Sequence, residues 1–119
     1  MQSFSEHYAY IERGYFKWKL FNVYGPVQDS LKHDFLTNLE TAINESEVPV
    51  LVGGDFSMIR RVEEKSIGNV NVQWMNAFND FVSNTEIREL HRSGGQYTWT
   101  NKQLNPIMVM LDRIFMSAD

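Results

Sequence analysis

The stretch Val50-Leu51-Val52-Gly53-Gly54-Asp55-Phe56-Ser57 constrains this chain more than any other. An unbroken apolar run over residues 48–52, closed by two glycines, suits a buried central strand whose end must bend sharply. Pro49 is tolerated only in the first residues of such a strand. A strand buried on both faces must sit inside a sheet, so neighbouring strands and covering helices have to come from the rest of the chain. Asp55 follows directly, at the carboxyl end of the strand, where open α/β sheets bind their ligands. Gly53 and Gly54 let the backbone turn and leave room beside the acid. On spacing alone, Asp55 as a simple turn cap is an equal alternative.

The flanking segments supply what that strand needs. Phe16, Trp18 and Leu20 alternate with Lys17 and Lys19, and Phe21-Asn22-Val23-Tyr24 continues the strand until Gly25-Pro26 ends it. Leu31, Phe35, Leu36, Leu39, Ala42 and Ile43 recur at helical spacing over residues 30–43, with Asp29 or Ser30 as the cap. Asn71 caps a second helix, ending near Asn84, that gathers Trp74, Met75, Phe78, Phe81 and Val82 on one face. The polar segment 58–70 reads as a solvated loop with one helical turn. Strands follow at residues 87–90, 97–100 and 107–115, with a turn at Ser93-Gly94-Gly95. The predicted order is β-α-β-α-β-β-β, an α/β (α+β) unit, and 119 residues suffice for one core.

Charge and composition exclude several classes. Eleven basic against fifteen acidic residues give a net charge of −4, the opposite of a protein that holds nucleic acid by counterion release. A polyanionic partner must then be held locally, through a metal. The absence of cysteine excludes a disulfide scaffold, a thiolate metal site and a cysteine nucleophile. No apolar run approaches the roughly 20 residues that span a bilayer, and the start lacks the basic-then-apolar pattern of a secretory signal. A soluble chain without a membrane partner is expected, one whose early Tyr8, Tyr10, Ile11 and Phe16 lead into a core. Two near-matches fail: a dinucleotide fingerprint needs three spaced glycines, and Phe56 stands where a Gly-Gly-Asp/Glu-Glu-Phe motif needs its second acid.

Two further segments carry chemistry. Asn22-Val23-Tyr24-Gly25-Pro26 ends a strand with an amide and a phenol, and Tyr24 can donate to a phosphate oxygen, although strand-end aromatics are ordinarily core or rim residues. Leu111-Asp112-Arg113-Ile114-Phe115 sets an acid inside an apolar strand, which is costly unless the charge is paired; Arg113 or a backbone group would serve. Met108, Met110 and Met116 read as core filler. Tyr97 and Trp99 alternate with Thr98 and Thr100 and read first as packing. His7, His33 and His91 read as surface residues.

Strand-Tyr24-Gly25-Pro26, helix, Gly54-Asp55-Phe56-Ser57, Tyr97-Thr98-Trp99 and Leu111-Asp112-Arg113, in that order, resemble the endonuclease/exonuclease/phosphatase (DNase I-like) superfamily. The likeness is strongest to the apurinic-type endonuclease domain of plant LINE-like non-LTR retroelements and covers roughly residues 17–117. It implies phosphodiester cleavage assisted by Mg²⁺ or Mn²⁺ in the complete parent domain. By the resemblance Asp55 binds the metal and orients or deprotonates the attacking water, and Tyr24 contacts phosphate or the metal shell. Ser57 stands where the family usually has a phosphate-holding Asn, and Asp112 holds a catalytic histidine. Asn22, Arg60 and Trp99 are candidate substrate contacts, with Arg61 and Lys65 beside Arg60. Relatives resembling DNase I, sphingomyelinases and inositol phosphatases usually place His at the position of Tyr24, so the tyrosine favours the apurinic-endonuclease and retroelement side.

The same resemblance marks departures. The family's metal-binding glutamate lies on strands before the tyrosine strand, and its histidine lies in a Ser-Asp-His segment beyond residue 119. Residues 1–119 are therefore expected to be the central to C-terminal part of one domain, inactive or nearly so alone. As part of a four-layer α/β sandwich they should leave one sheet face bare, with an apolar patch from Trp18, Phe21, Trp99, Met108, Met110 and Met116. That patch offers a route to self-association, and DNA binding should be weak or absent. The alternatives are a non-catalytic remnant acting as an interaction module or without function, and a phosphoesterase acting on RNA ends or on phospholipid or inositol phosphates. A retroelement parent would place the chain in the nucleus.

Overall fold

The computed structural model describes residues 3–10, 17–65, 71–90, 99–100, 108–109 and 112–117. The apolar run forms β3 (Val50–Asp55), the middle of a five-stranded sheet. Around it lie β1 (Phe4–Tyr10), β2 (Lys17–Tyr24), β4 (Ile87–Glu89) and β7 (Asp112–Ser117), in the order β1-β2-β3-β7-β4. Only the β2–β3 pair is parallel. Its crossover contains α1 (Asp29–Asn44), as a parallel connection requires. Helix α2 (Val72–Thr85) follows β3, and β5 (Trp99–Thr100) pairs with β6 (Met108–Val109) as a separate antiparallel ribbon.

Strict alternation divides the sheet. Phe21, Val23, Val50, Val52, Ile87 and Phe115 are buried on one face, against Phe35, Leu36, Leu39 and Ile43 of α1 and Phe78, Phe81 and Val82 of α2. Phe56, at the exit of β3, joins this core, stacked on Phe78 at 5.1 Å between ring centroids and edge-on to Phe115 at 5.4 Å. Trp18, Leu20, Asn22, Tyr24, Leu51, Asp55, Asp112, Ile114 and Met116 hold the opposite parity, on the face that these helices leave uncovered.

Several expectations are corrected. Strand β3 starts at Val50 and runs through both glycines to Asp55, so the bend falls after the acid. The glycine at 54 serves close approach: its φ is +134°, and a Cβ there would stand 2.2 Å from the Val23 carbonyl oxygen. The order begins with an additional strand, because β1 pairs with residues 17–23 of β2. Its period-two signal is weak, since beyond Phe4 its inward row holds Glu6, in an ion pair with Lys19 at 2.5 Å, and Tyr8, whose ring lies 3.9 Å from Lys17 Nζ. Gln28 is the N-cap of α1, without a side-chain bond; Asp29 falls in the first turn, held by Lys32 at 2.9 Å. Asn71 caps α2 as read, accepting from the Trp74 amide at 3.2 Å. The last predicted strand is divided into β6 and β7. The turn at Ser93-Gly94-Gly95 lies outside the described residues.

The expected bare patch is only partly exposed: among the described apolar residues of that face Ile114 is exposed, while Trp18, Leu20, Leu51 and Met116 are half-buried. Phe21 is only 1% exposed, because its parity turns it into the helix-side core. Trp18 and Met116 do lie on the open face, with Leu20, Leu51 and Ile114; the side chains of Trp99, Met108 and Met110 lie outside the described residues. Segment 58–65 is the expected loop with one helical turn, at Val62–Glu64, and Arg61, Val62 and Glu63 are exposed, but it is not solvated throughout. Met58 is buried, and Glu64 reaches a fully buried Arg113, which forks onto both its carboxylate oxygens. Arg113 also donates to Glu89 at 3.0 Å, Glu89 accepts from Arg60 at 2.8 Å, and Arg60 Nε donates to Asn79 at 2.8 Å.

Burial pushes the Glu64 carboxyl up, but the Arg113 guanidinium and the Arg60 and Arg61 amides outweigh it and hold the group below its ordinary value of 4.5. A carboxyl depressed in the folded state contributes stability that is complete above its unfolded value and disappears as pH falls through the folded one. Urea unfolding of the chain and of Glu64→Gln should therefore show the wild-type advantage constant above pH 4.5 and shrinking below it. A constant gap across that range would refute the assignment.

Candidate active site on the open sheet face

Register, rather than proximity in sequence, assembles the site. Tyr24 pairs with Asp55, and Asp55 pairs with Asp112, so the phenol and both carboxylates form one row across β2, β3 and β7 on the open face. Neighbouring strands lie about 4.8 Å apart, which brings consecutive members within reach of one small ligand. The next row holds Asn22, Gly53 and Ile114, and the one after it Leu20, Leu51 and Met116. The open face is thus polar at the β3 carboxyl end and apolar behind it. A groove of about 380 Å³ runs along that apolar part, between His7, Leu20, Leu51 and Ile114.

Two polar groups in the top row, Tyr24 and Asp55, have supports that the structure identifies. Asn22 Nδ2 donates to the Tyr24 hydroxyl oxygen at 2.7 Å, which leaves the phenol proton to be given elsewhere. Tyr24 is 60% exposed, so its hydroxyl is accessible. Asp55 Oδ1 accepts from the Ser57 amide at 2.8 Å, closing an Asx turn. Both sequence readings of Asp55 therefore hold structurally: it closes a turn and it lies at the carboxyl end of the sheet. Ser57 Oγ donates to the Gly25 carbonyl at 2.7 Å, and the Gly25 amide donates to the Asp55 carbonyl at 2.6 Å. These bonds stitch the end of β2 to the exit of β3. Gly25 is needed there because a Cβ would meet the Phe56 carbonyl oxygen at 2.3 Å.

Other candidates are placed elsewhere. Arg60 sits on the helix side, its guanidinium 5.8 Å from the Phe115 ring and bonded to Asn79 and Glu89, across the sheet from the row. The Trp99 side chain, His91 and Tyr97 lie outside the described residues. His7 is on the open face, opposite Leu20, with its Nε2 3.0 Å from Ser5 Oγ. His33 is exposed on α1. The sequence reading missed Glu64 and Glu89 as the partners of Arg113. Both stand among charged neighbours, and only the alternation of Asp112 and Arg113 in an apolar strand hinted that one charge must turn inward.

Among the described residues no three His, Cys, Asp or Glu side chains converge as a metal site. The donor set that exists, Asp55 facing Asp112, suits Mg²⁺, which takes one or two carboxylates and completes its shell with water and phosphate oxygens.

No family model matches the chain, and no curated protein sequence does. Solved structures do. The endonuclease domain of TRAS1, a telomere-specific non-LTR retrotransposon, superposes with a TM-score of 0.71 over 98% of this chain, at 9% identity. The chain has the DNase I-like fold. Beta toxin from Staphylococcus aureus matches with a TM-score of 0.62 over 92% of the chain, at 15% identity. The chain spans about half of the first of these structures (51%) and 41% of the second, so residues 1–119 correspond to part of the DNase I-like domain seen there.

Two substitutions probe the stitching. Ser57 has φ of +55°, a left-handed conformation that asparagine tolerates better than serine. Ser57→Asn gains from the left-handed backbone but loses the Oγ bond to the Gly25 carbonyl, two effects of about 1 kcal/mol each and opposite sign, so its stability should stay within about 1 kcal/mol of the parent. Gly25→Ala should lower it by roughly 2 kcal/mol or more, through the clash with the Phe56 carbonyl. Urea denaturation midpoints check both, and a neutral Gly25→Ala would show that the β2 end is not held as described.

Proposed function

We propose that this chain is the central to C-terminal part of a metal-dependent phosphodiesterase domain of the retroelement DNA-endonuclease type. The observation that carries this reading is the row Tyr24–Asp55–Asp112 on the open face of a DNase I-like sheet. The TRAS1 endonuclease domain supports the substrate class. Bound Mg²⁺ or Mn²⁺ would polarise the phosphate and stabilise the leaving oxygen. Asp55 would hold the cation and orient water, Tyr24 would donate a hydrogen bond to a phosphate oxygen, and Asn22 aims the phenol. Ser57 fixes the turn that presents Asp55. Asp112 orients the catalytic histidine that the family resemblance implies.

The glutamate and histidine of that resemblance have no counterpart in residues 1–119, so the chain alone should not cut DNA. Its charge of −4 disfavours the phosphate backbone and makes DNA binding weak. Tyr24 in place of histidine speaks against phospholipid and inositol phosphate substrates.

One observation favours a second reading, a non-catalytic interaction module: the open face carries Leu20, Leu51, Ile114 and Met116 side by side. Through it the chain would self-associate. Sedimentation should then show a concentration-dependent dimer that Leu51→Glu abolishes; a monomer at all concentrations removes this reading.

For the first reading, Mn²⁺ should broaden the NMR signals of Asp55 and Asp112 selectively, and Asp55→Asn should abolish the effect. In plasmid nicking with Mg²⁺, both the chain and Asp55→Ala should be inactive. Diffuse or absent broadening would overturn the metal assignment, and nicking lost in Asp55→Ala would overturn the expected inactivity.

A further inference from the structure

The quartet Arg60, Glu64, Glu89 and Arg113 is not explained by the chemistry above, and its position is specific. Pairing between β3 and β7 ends at Asp55↔Asp112, so Asp112 stands at the terminal rung of that ladder, where strands fray. Arg113 is the next residue and points to the other face. Its guanidinium forks onto Glu64 and also meets Glu89 of β4. Glu64 in turn accepts from the Arg60 amide at 2.6 Å and the Arg61 amide at 3.3 Å, holding the segment that leaves the Asp55–Ser57 turn. A second arm runs from Arg60 to Glu89. Two cations and two anions thus close a ring tying together the strand that carries Asp112, the segment that follows Asp55, and β4.

Buried ion pairs are weak evidence for stability, since apolar replacements often do as well; their best-attested use is to enforce one arrangement. Only one register satisfies this ring. A one-residue slip of β7 would turn Asp112 toward Glu64 and Glu89 and expose the guanidinium. Phe115, fully buried, pins the remainder of β7 but lies three residues from Asp112.

We propose that Arg113 is a positioning residue, whose fork onto Glu64 and Glu89 holds Asp112 opposite Asp55. The proposal rests on the reading of Asp55 and Asp112 as site residues for its purpose, but its test does not use metal or activity.

The chain has no cysteine, so engineered pairs report register cleanly. Asp55→Cys with Asp112→Cys probes the terminal rung. Leu51→Cys with Met116→Cys probes the same ladder four residues away, at a pair of the same hydrogen-bonding type. Arg113→Lys keeps the charge but loses the fork. Disulfide formation at the terminal rung should fall about tenfold in the Arg113→Lys background, the factor expected from one lost hydrogen bond to a charged group, while the Leu51/Met116 pair is unchanged. Equal rates at both rungs in both backgrounds would overturn the proposal, and so would an equal fall at both, which would mark a merely structural role. If Arg113→Lys does not fold, Glu64→Gln is read by the same two pairs. Absent Mn²⁺ localisation would sink the metal reading and leave this result standing, so the two failures are distinguishable.

Discussion

The close passage of β2 against the end of β3 is the constraint on which the rest depends. Parallel strands usually diverge as one enters its crossover, yet here they stay paired to their last residues, Tyr24 and Asp55. They can because position 54 has no side chain to collide with the Val23 carbonyl, and Gly25 lies flush against the Phe56 backbone. A phenol and a carboxylate become neighbours through backbone contact alone. Helices α1 and α2 pack behind this sheet, and β7 extends the row with Asp112.

What lies behind it is a division of labour set by the two-residue period. Phe56, Phe78 and Phe115 form the aromatic centre of the helix side, directly beneath the exit of β3. The ring of Arg113, Glu64, Glu89 and Arg60 closes the same side near the start of β7. Its charges sum to zero, so a polar assembly is buried without an uncompensated ion. The opposite side keeps its phenol and acids toward solvent, over an apolar surface.

The sequence reveals the central strand, both helices and the three site segments because each carries a local signal: apolar continuity, helical period, or a glycine beside an acid. It flags a costly charge in an apolar strand but assigns it to Asp112, which is exposed, whereas Arg113 is the buried one. It misplaces Phe21 because a run such as Leu20-Phe21 offers an apolar residue to either face, and parity is decided by the neighbours across the ladder. It misreads residues 60–65 as solvated throughout for a related reason. Glu64 looks like its neighbours until Arg113, 49 residues later, comes within hydrogen-bonding reach. Strand β1 escapes because its place rests on an ion pair and a cation stacked on a ring, neither of which has a period.

The separation of the two sheet faces has an evolutionary consequence. Tyr24 and Asp112 contribute little to the apolar core, and Asp55 contributes to folding mainly through one turn. If the row acts as proposed, mutational drift there would erode chemistry while leaving the scaffold intact. A lineage of such chains can go silent as a catalyst and still supply a folded surface for recruitment to other purposes.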